Sequence, residues 1–234
     1  MTPLVFLPGM MCDARLFAPQ INALSKGRAV TTLPIHAHDT VEALAADVLA
    51  NAPDPFALAG LSMGGIVAME VIRQAPDRVA GVALMDTNPK AEHPKIAEAR
   101  TPQIERVKAG KLASVMRDEM KPNYLADTPQ RGDILDLCMD MALDLGADAF
   151  ENQSRALATR PDQQETLKGY KGPTLILCGE DDALCPVHRH TLMYDLMPHA
   201  TLTILKGAGH LPTLEQPEAT TAALRAWLEE IPNA

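Results

Sequence analysis

The apolar positions of this chain fall into two textures. Six short runs are apolar nearly throughout: "LVFLPG" (Leu4–Gly9), "RAVTTLPI" (Arg28–Ile35), "FALAGL" (Phe56–Leu61), "VAGVALMD" (Val79–Asp86), "TLILCGEDD" (Thr174–Asp182) and "ATLTILKGAGH", which closes at His210. Most do not alternate with polar residues, which is the pattern of strands covered on both faces, and segments of helical period lie between several of them. Together they predict a mostly parallel α/β sheet flanked by helices. In "TVEALAADVLANA" (Thr40–Ala52) the apolar residues Val41, Leu44, Ala45, Val48 and Leu49 repeat at helical spacing behind Thr40, a candidate N-cap. "GGIVAMEVIRQAP" runs from Gly64 to a stop at Pro76, and "PEATTAALRAWLEEIP" is bounded by Pro217 and Pro232.

Between Asn88 and Tyr170 the strand-like runs vanish and charge rises. Helical stretches such as "IERVKAGKLASVMRDEMKPNYL" and "GDILDLCMDMALDLGADAFENQSRAL" follow one another there. The β-pattern resumes at Thr174, so residues 88–170 are expected to form an all-helical cap inserted after the fourth predicted strand, on a core made of residues 1–87 and 171–234. Gly110, Gly132 and Gly146 punctuate this insertion, as helix ends or as hinges. No internal repeat or low-complexity tract is present.

Composition narrows the function classes. A chain of 234 residues can bury a large single core, and 47% hydrophobic with 22% charged residues is ordinary for a globular protein. The formal charge of −9, without a dense Lys/Arg cluster, argues against nucleic acid and anionic membrane surfaces, and leaves a small neutral or apolar molecule as the expected partner. The N-terminus "MTPLVFLPG" reads as neither signal peptide nor membrane span, and the expected compartment is the cytoplasm. Cys12, Cys138, Cys178 and Cys185 are irregularly spaced without a CxxC pair, which suits buried reduced thiols better than disulfides or a zinc site. Oligomeric state is not legible.

The chemistry concentrates at "GLSMGG", which follows "FALAGL" directly and opens a helical segment. This is G-x-S-x-G in a strand-to-helix turn, where Gly60 and Gly64 leave room for a tight corner and Ser62 stands at the carboxyl end of the sheet, beside a helix N-terminus. A serine hydroxyl is a weak nucleophile near neutral pH, so Ser62 needs a base and the base an orienting acid. Of seven histidines, His210 lies on a Gly-punctuated loop just past the final predicted strand, where chemistry accumulates in open sheets. For the acid, Asp181 and Asp182 end the preceding strand and Asp86 ends the one before the insertion.

Three motifs, "LPGMMCDARLFAPQ", "GLSMGG" and the pair "GEDDALCP" with "GAGHLPTLEQP", make the chain similar to the α/β-hydrolase superfamily, in particular its small members with a helical cap. The resemblance covers nearly the whole chain and has the family's Ser, Asp, His order. It implies that "LVFLPG" matches the third strand of the family's full sheet. It also implies that Asp182, set between Gly179 and Pro186 in the family's G-x-x-D-x-x-x-P pattern, is the acid. The family's oxyanion hole would fall on the backbone N–H groups of Met10 and Met63. One departure is Pro8-Gly9 where relatives often carry His-Gly.

The resulting expectation is a serine hydrolase that cleaves a carboxylic ester or thioester of a small, largely apolar substrate through an acyl-serine, with no metal or organic cofactor. The cap residues Met116, Met120 and Met139 are expected to contact that substrate. Lactone opening and carbon–carbon cleavage of diketones use the same residues, and a ligand-binding homologue without turnover is the alternative from another class.

Overall fold

The computed structural model describes residues 1–232. Its six strands are β1 (Leu4–Leu7), β2 (Val30–Thr32), β3 (Phe56–Leu61), β4 (Val79–Met85), β5 (Thr174–Gly179) and β6 (Thr201–Leu205). They form one parallel sheet in the order β2-β1-β3-β4-β5-β6. The order reverses between β1 and β3, so the connections leave that point toward opposite edges and open a crevice above the carboxyl ends of these two strands.

Period-two geometry divides each central strand between two cores. Val5, Leu7, Leu58, Val82, Leu84 and Ile176 face one layer, and Leu4, Phe6, Ala59, Ala83, Met85 and Leu177 the other. The first layer is closed by α2 (Val41–Asn51) and α3 (Met63–Gln74), the second by α1 (Ala18–Leu24) and the C-terminal α10 (Pro217–Glu230). Strands β1, β3 and β5 are buried at every position, which accounts for their unbroken apolar runs. Both edge strands are partly exposed. The run Arg28–Ile35 yields only Val30–Thr32, because Pro34 has no N–H to extend the ladder. Thr40 caps α2 by accepting from Ala43 N–H.

Between β4 and β5 lie only helices: α4 (Pro94–Arg106), α5 (Leu112–Val115), α6 (Arg131–Ala158) and α7 (Gln164–Gly169), with π-helical turns at Val107–Lys111 and Met116–Met120. Gly110 and Gly146 both adopt φ 80 and break the helical path, a conformation that costs glycine little. Helices α4, α5 and α6 pack on one another, whereas α7 lies against α3 and against α8 (Val187–Leu196). The short α9 (Pro212–Glu215) precedes α10. No helix among the described residues is long and apolar enough to cross a membrane.

Gln153 of α6 ties this insertion to the sheet. Its Oε1 accepts from Met11 N–H at 2.8 Å and its Nε2 donates to Ile35 O at 3.0 Å, with the residue 1% exposed. Both backbone groups depend on it away from water. Gln153→Leu strands them, at about 1–3 kcal/mol for each unsatisfied group. Urea unfolding is expected to show a loss of roughly 2–6 kcal/mol, with an m-value close to that of the wild type.

Candidate active site

Ser62 sits between the last residue of β3 and the first of α3, at φ 56 and ψ −114. A non-glycine residue holds such a conformation only where its surroundings over-determine it. Here Ser62 N–H donates to Met85 O at 2.8 Å, and Ser62 O accepts from Gly65 N–H, Ile66 N–H and the Thr87 hydroxyl, the last at 2.7 Å. The flanking glycines are required by contact: a Cβ on Gly60 would stand 2.3 Å from Gly64 O, and one on Gly64 would stand 2.0 Å from Leu7 O. The pentapeptide is therefore a corner packed backbone against backbone, with Ser62 Oγ left on the cavity side.

The sheet register brings the partners to it. Leu61 pairs with Met85, Met85 with Leu177 and Gly179 with Leu205, so the carboxyl ends of β3, β4, β5 and β6 finish nearly level. His210 Nε2 lies 2.9 Å from Ser62 Oγ, and His210 Nδ1 lies 2.8 Å from Asp182 Oδ2. Asp182 Oδ1 accepts from the N–H groups of Leu184 and Cys185 at 2.8 and 2.9 Å. Asp182 and His210 are buried. Burial pushes the Asp182 carboxyl up, but the facing His210 and the hydrogen bonds it accepts outweigh this, and its pKa is lowered.

The other acids are placed differently. Asp181 is exposed and its backbone N–H reaches Ala208 O. Asp86 is fully buried at φ 45, its Oδ1 accepts from Gly179 N–H at 2.9 Å, and its Oδ2 has no partner. Burial, then the negative charge of Asp182, push the Asp86 pKa well up. It reaches the end of β5 at Gly179 and faces the Asp182 carboxyl rather than His210.

Three residues at this site carry no sequence signal of their own. Glu215 on α9 accepts from Gly209 N–H and Leu211 N–H, each at 3.0 Å, and from Ala126 N–H at 2.8 Å, clamping the loop on both sides of His210. Thr87 holds the Ser62 carbonyl and donates its own N–H to His190 Nε2 at 3.1 Å. His190 is buried with Nδ1 unpaired, and burial lowers its pKa to about 4.

A cavity of about 240 Å³ opens over Ser62 and His210, small beside the ~300–1,000 Å³ common for drug-sized ligands. Met10 and Met63 line it, and neither backbone N–H has an acceptor among the described residues. Of the three cap methionines expected there, Met120 lines the cavity and the other two do not. Met116 is 1% exposed in a cluster with Ile104, Val107 and Val115, and Met139 packs against the same cluster. The cap helices bury their apolar stripes on one another first, which leaves few such residues for a ligand. All four cysteines are free and buried, and burial raises each thiol pKa. Asp182, Cys185 and His210 offer donor atoms within 4.8 Å of one another, but a cation held there would compete for the Asp182–His210 contact and need a thiolate that burial disfavours.

A family model described as the alpha/beta hydrolase family matches residues 4–224. The (E)-2-((N-methylformamido)methylene)succinate hydrolase of Acinetobacter baylyi is 26% identical, over 98% of this chain and 91% of its own length. A pimeloyl-[acyl-carrier protein] methyl ester esterase of Salmonella newport is 27% identical, over 79% of this chain and 74% of its own. Among solved structures, a thermophilic esterase from Thermogutta terrifontis, described as malate bound, superposes with a TM-score of 0.90 at 28% identity, over 98% of this chain and 90% of the other.

The depressed pKa of His190 has a consequence for stability. The unfolded chain protonates this histidine near 6.5 and the folded protein only near 4, so acidification through that window favours unfolding. The difference in unfolding free energy between wild type and His190→Gln is expected to fall by up to ~1.4 kcal/mol per pH unit between pH 6.5 and 4. Denaturant titrations at several pH values check this; a difference constant with pH contradicts it.

Proposed function

Because the chain belongs to the alpha/beta hydrolase family, we propose that it is a serine hydrolase that cleaves a small carboxylic ester or thioester through an acyl intermediate on Ser62. The observation that carries this reading is the continuous path from Ser62 Oγ through the imidazole of His210 to Asp182, at 2.9 and 2.8 Å. Relatives named as hydrolases and esterases support the hydrolytic class.

In the proposed reaction His210 Nε2 takes the hydroxyl proton as Ser62 Oγ adds to the substrate carbonyl. Asp182 keeps the Nδ1–H tautomer in place and favours the imidazolium that forms. The lowered pKa of Asp182 suits this role, since the group stays anionic throughout. The oxyanion that develops is within the province of the unengaged N–H groups of Met63, at the start of α3, and of Met10; each such donor is worth ~10²–10³ in rate. His210 then returns the proton to the leaving alcohol or thiol, and a water deprotonated by the same imidazole releases the acid and restores Ser62. No step calls on a cofactor.

Rates on p-nitrophenyl butyrate test the assignment. Ser62→Ala is expected to lose at least ~10⁴ in kcat and all labelling by a fluorophosphonate, and Asp182→Asn ~10²–10⁴ in kcat because the wrong imidazole tautomer is favoured. Wild-type turnover in Ser62→Ala would refute the reading, and absence of labelling in the wild type would favour a binding protein.

A further inference from the structure

The cavity over Ser62 is not uniformly apolar. Beside Leu61, Ile66 and Leu157, three guanidinium groups reach its wall, those of Arg100, Arg160 and Arg189, against the single carboxylate of Glu92. Glu92 is shared: Arg100 pairs with its Oε2 at 2.6 Å and Arg160 with its Oε1 at 3.0 Å, side chains that are 16%, 9% and 5% exposed in the order Arg100, Arg160, Glu92. Arg160 also donates to Lys90 O. Arg189, on the first turn of α8, has no carboxylate within 4.0 Å among the described residues, and its guanidinium contact is Cys185 Sγ at 3.9 Å. Three guanidinium groups against one carboxylate leave the wall with an excess of positive charge, inside a protein whose formal charge is −9.

Such a wall is costly to keep empty. A half-enclosed cation without a partner loses hydration that no counter-charge restores. The guanidinium groups also feel one another: burial lowers the Arg160 pKa, Glu92 opposes this, and Arg100 and Arg189 add to the lowering. An anionic ligand relieves both penalties, and a positive cavity in an acidic protein concentrates anions at its own mouth. Because Glu92 already occupies Arg100 and Arg160, one guanidinium fork remains unshared, and a single carboxylate matches it in geometry as well as charge.

We propose that the substrate carries a free carboxylate apart from the bond that is cleaved, and that Arg189 receives it, with Arg100 and Arg160 supplying the surrounding positive field. This rests on the serine hydrolase reading and deepens it, replacing the largely apolar substrate by a small half-ester or carboxylate-bearing lactone or thioester. Arg189 is a substrate-orienting residue in this scheme and takes no part in proton transfer.

The test separates recognition from turnover. In Ser62→Ala, isothermal titration with monomethyl glutarate and with methyl hexanoate, a neutral ester of similar length, is expected to give about tenfold or more tighter binding of the anion. Added NaCl is expected to weaken that binding, and Ser62→Ala with Arg189→Gln to erase the preference. Arg189 is the position to change because losing it strands no buried carboxylate, and Arg189→Lys, which keeps the charge without the fork, is expected to fall between. In the wild type the same two esters are expected to differ by a similar factor in kcat/KM, chiefly through KM. Equal binding of the two esters, or a preference that survives Arg189→Gln, overturns the proposal. Hydrolysis of both esters through Ser62 without preference removes the anion site and leaves the serine hydrolase standing. Arg189-dependent binding without any turnover upholds the site and removes the hydrolase.

Discussion

The contact between Ser62 Oγ and His210 Nε2, 2.9 Å long, joins residues 148 positions apart in the chain, and every functional statement above depends on it. Two constraints produce it. The first is the register of the sheet, which ends β3 and β6 at nearly the same height so that the loops after them meet. The second is the corner at Ser62, where a backbone held at φ 56 by hydrogen bonds from Gly65, Ile66 and Thr87 leaves the side chain no place in either core. Strain of this kind, of order 1–3 kcal/mol, persists because the rest of the fold fixes both neighbours.

Support for the contact is distributed over the whole chain. Glu215 fixes the backbone on either side of His210, and Tyr124 O receives the His210 N–H at 2.6 Å, so the insertion and the C-terminal helices meet at the imidazole. Asp182 is held by two backbone N–H groups on one oxygen, which frees the other for Nδ1. Behind it, burial and the facing Asp182 charge raise the pKa of Asp86, because ionising two carboxylates in one buried place is costly. The side chains that touch one another are few, and the groups that aim them lie in every layer of the structure.

The central strands were legible because burial on both faces forces unbroken apolar runs, as in Phe56–Leu61 and Thr174–Gly179, and α2 because Thr40 and its apolar repeat agree. Ser62 and His210 stood out as candidates since their glycine neighbours mark corners, whereas the residues alone left Asp181, Asp182 and Asp86 open and only the family resemblance, through its G-x-x-D-x-x-x-P pattern, pointed to Asp182. Less was legible in the insertion. Its methionines look alike on a helical wheel, yet Met120 lines the cavity while Met116 and Met139 seal the cap onto itself, a distinction set by the packing of α4, α5 and α6. Arg100, Arg160 and Arg189 belong to no motif along the chain; only the fold gathers three segments so distant at one cavity wall. Glu215 and Thr87 act through backbone groups of other loops, and a sequence pattern holds no record of such partners.

The most direct test of the central claim is to trap the intermediate. Wild-type protein mixed with p-nitrophenyl acetate and quenched in acid during turnover, then digested and analysed by mass spectrometry, is predicted to carry an acetyl group on Ser62 that disappears as substrate is exhausted. Acetylation confined to another residue, or continued turnover with Ser62 unmodified at every time sampled, contradicts the account.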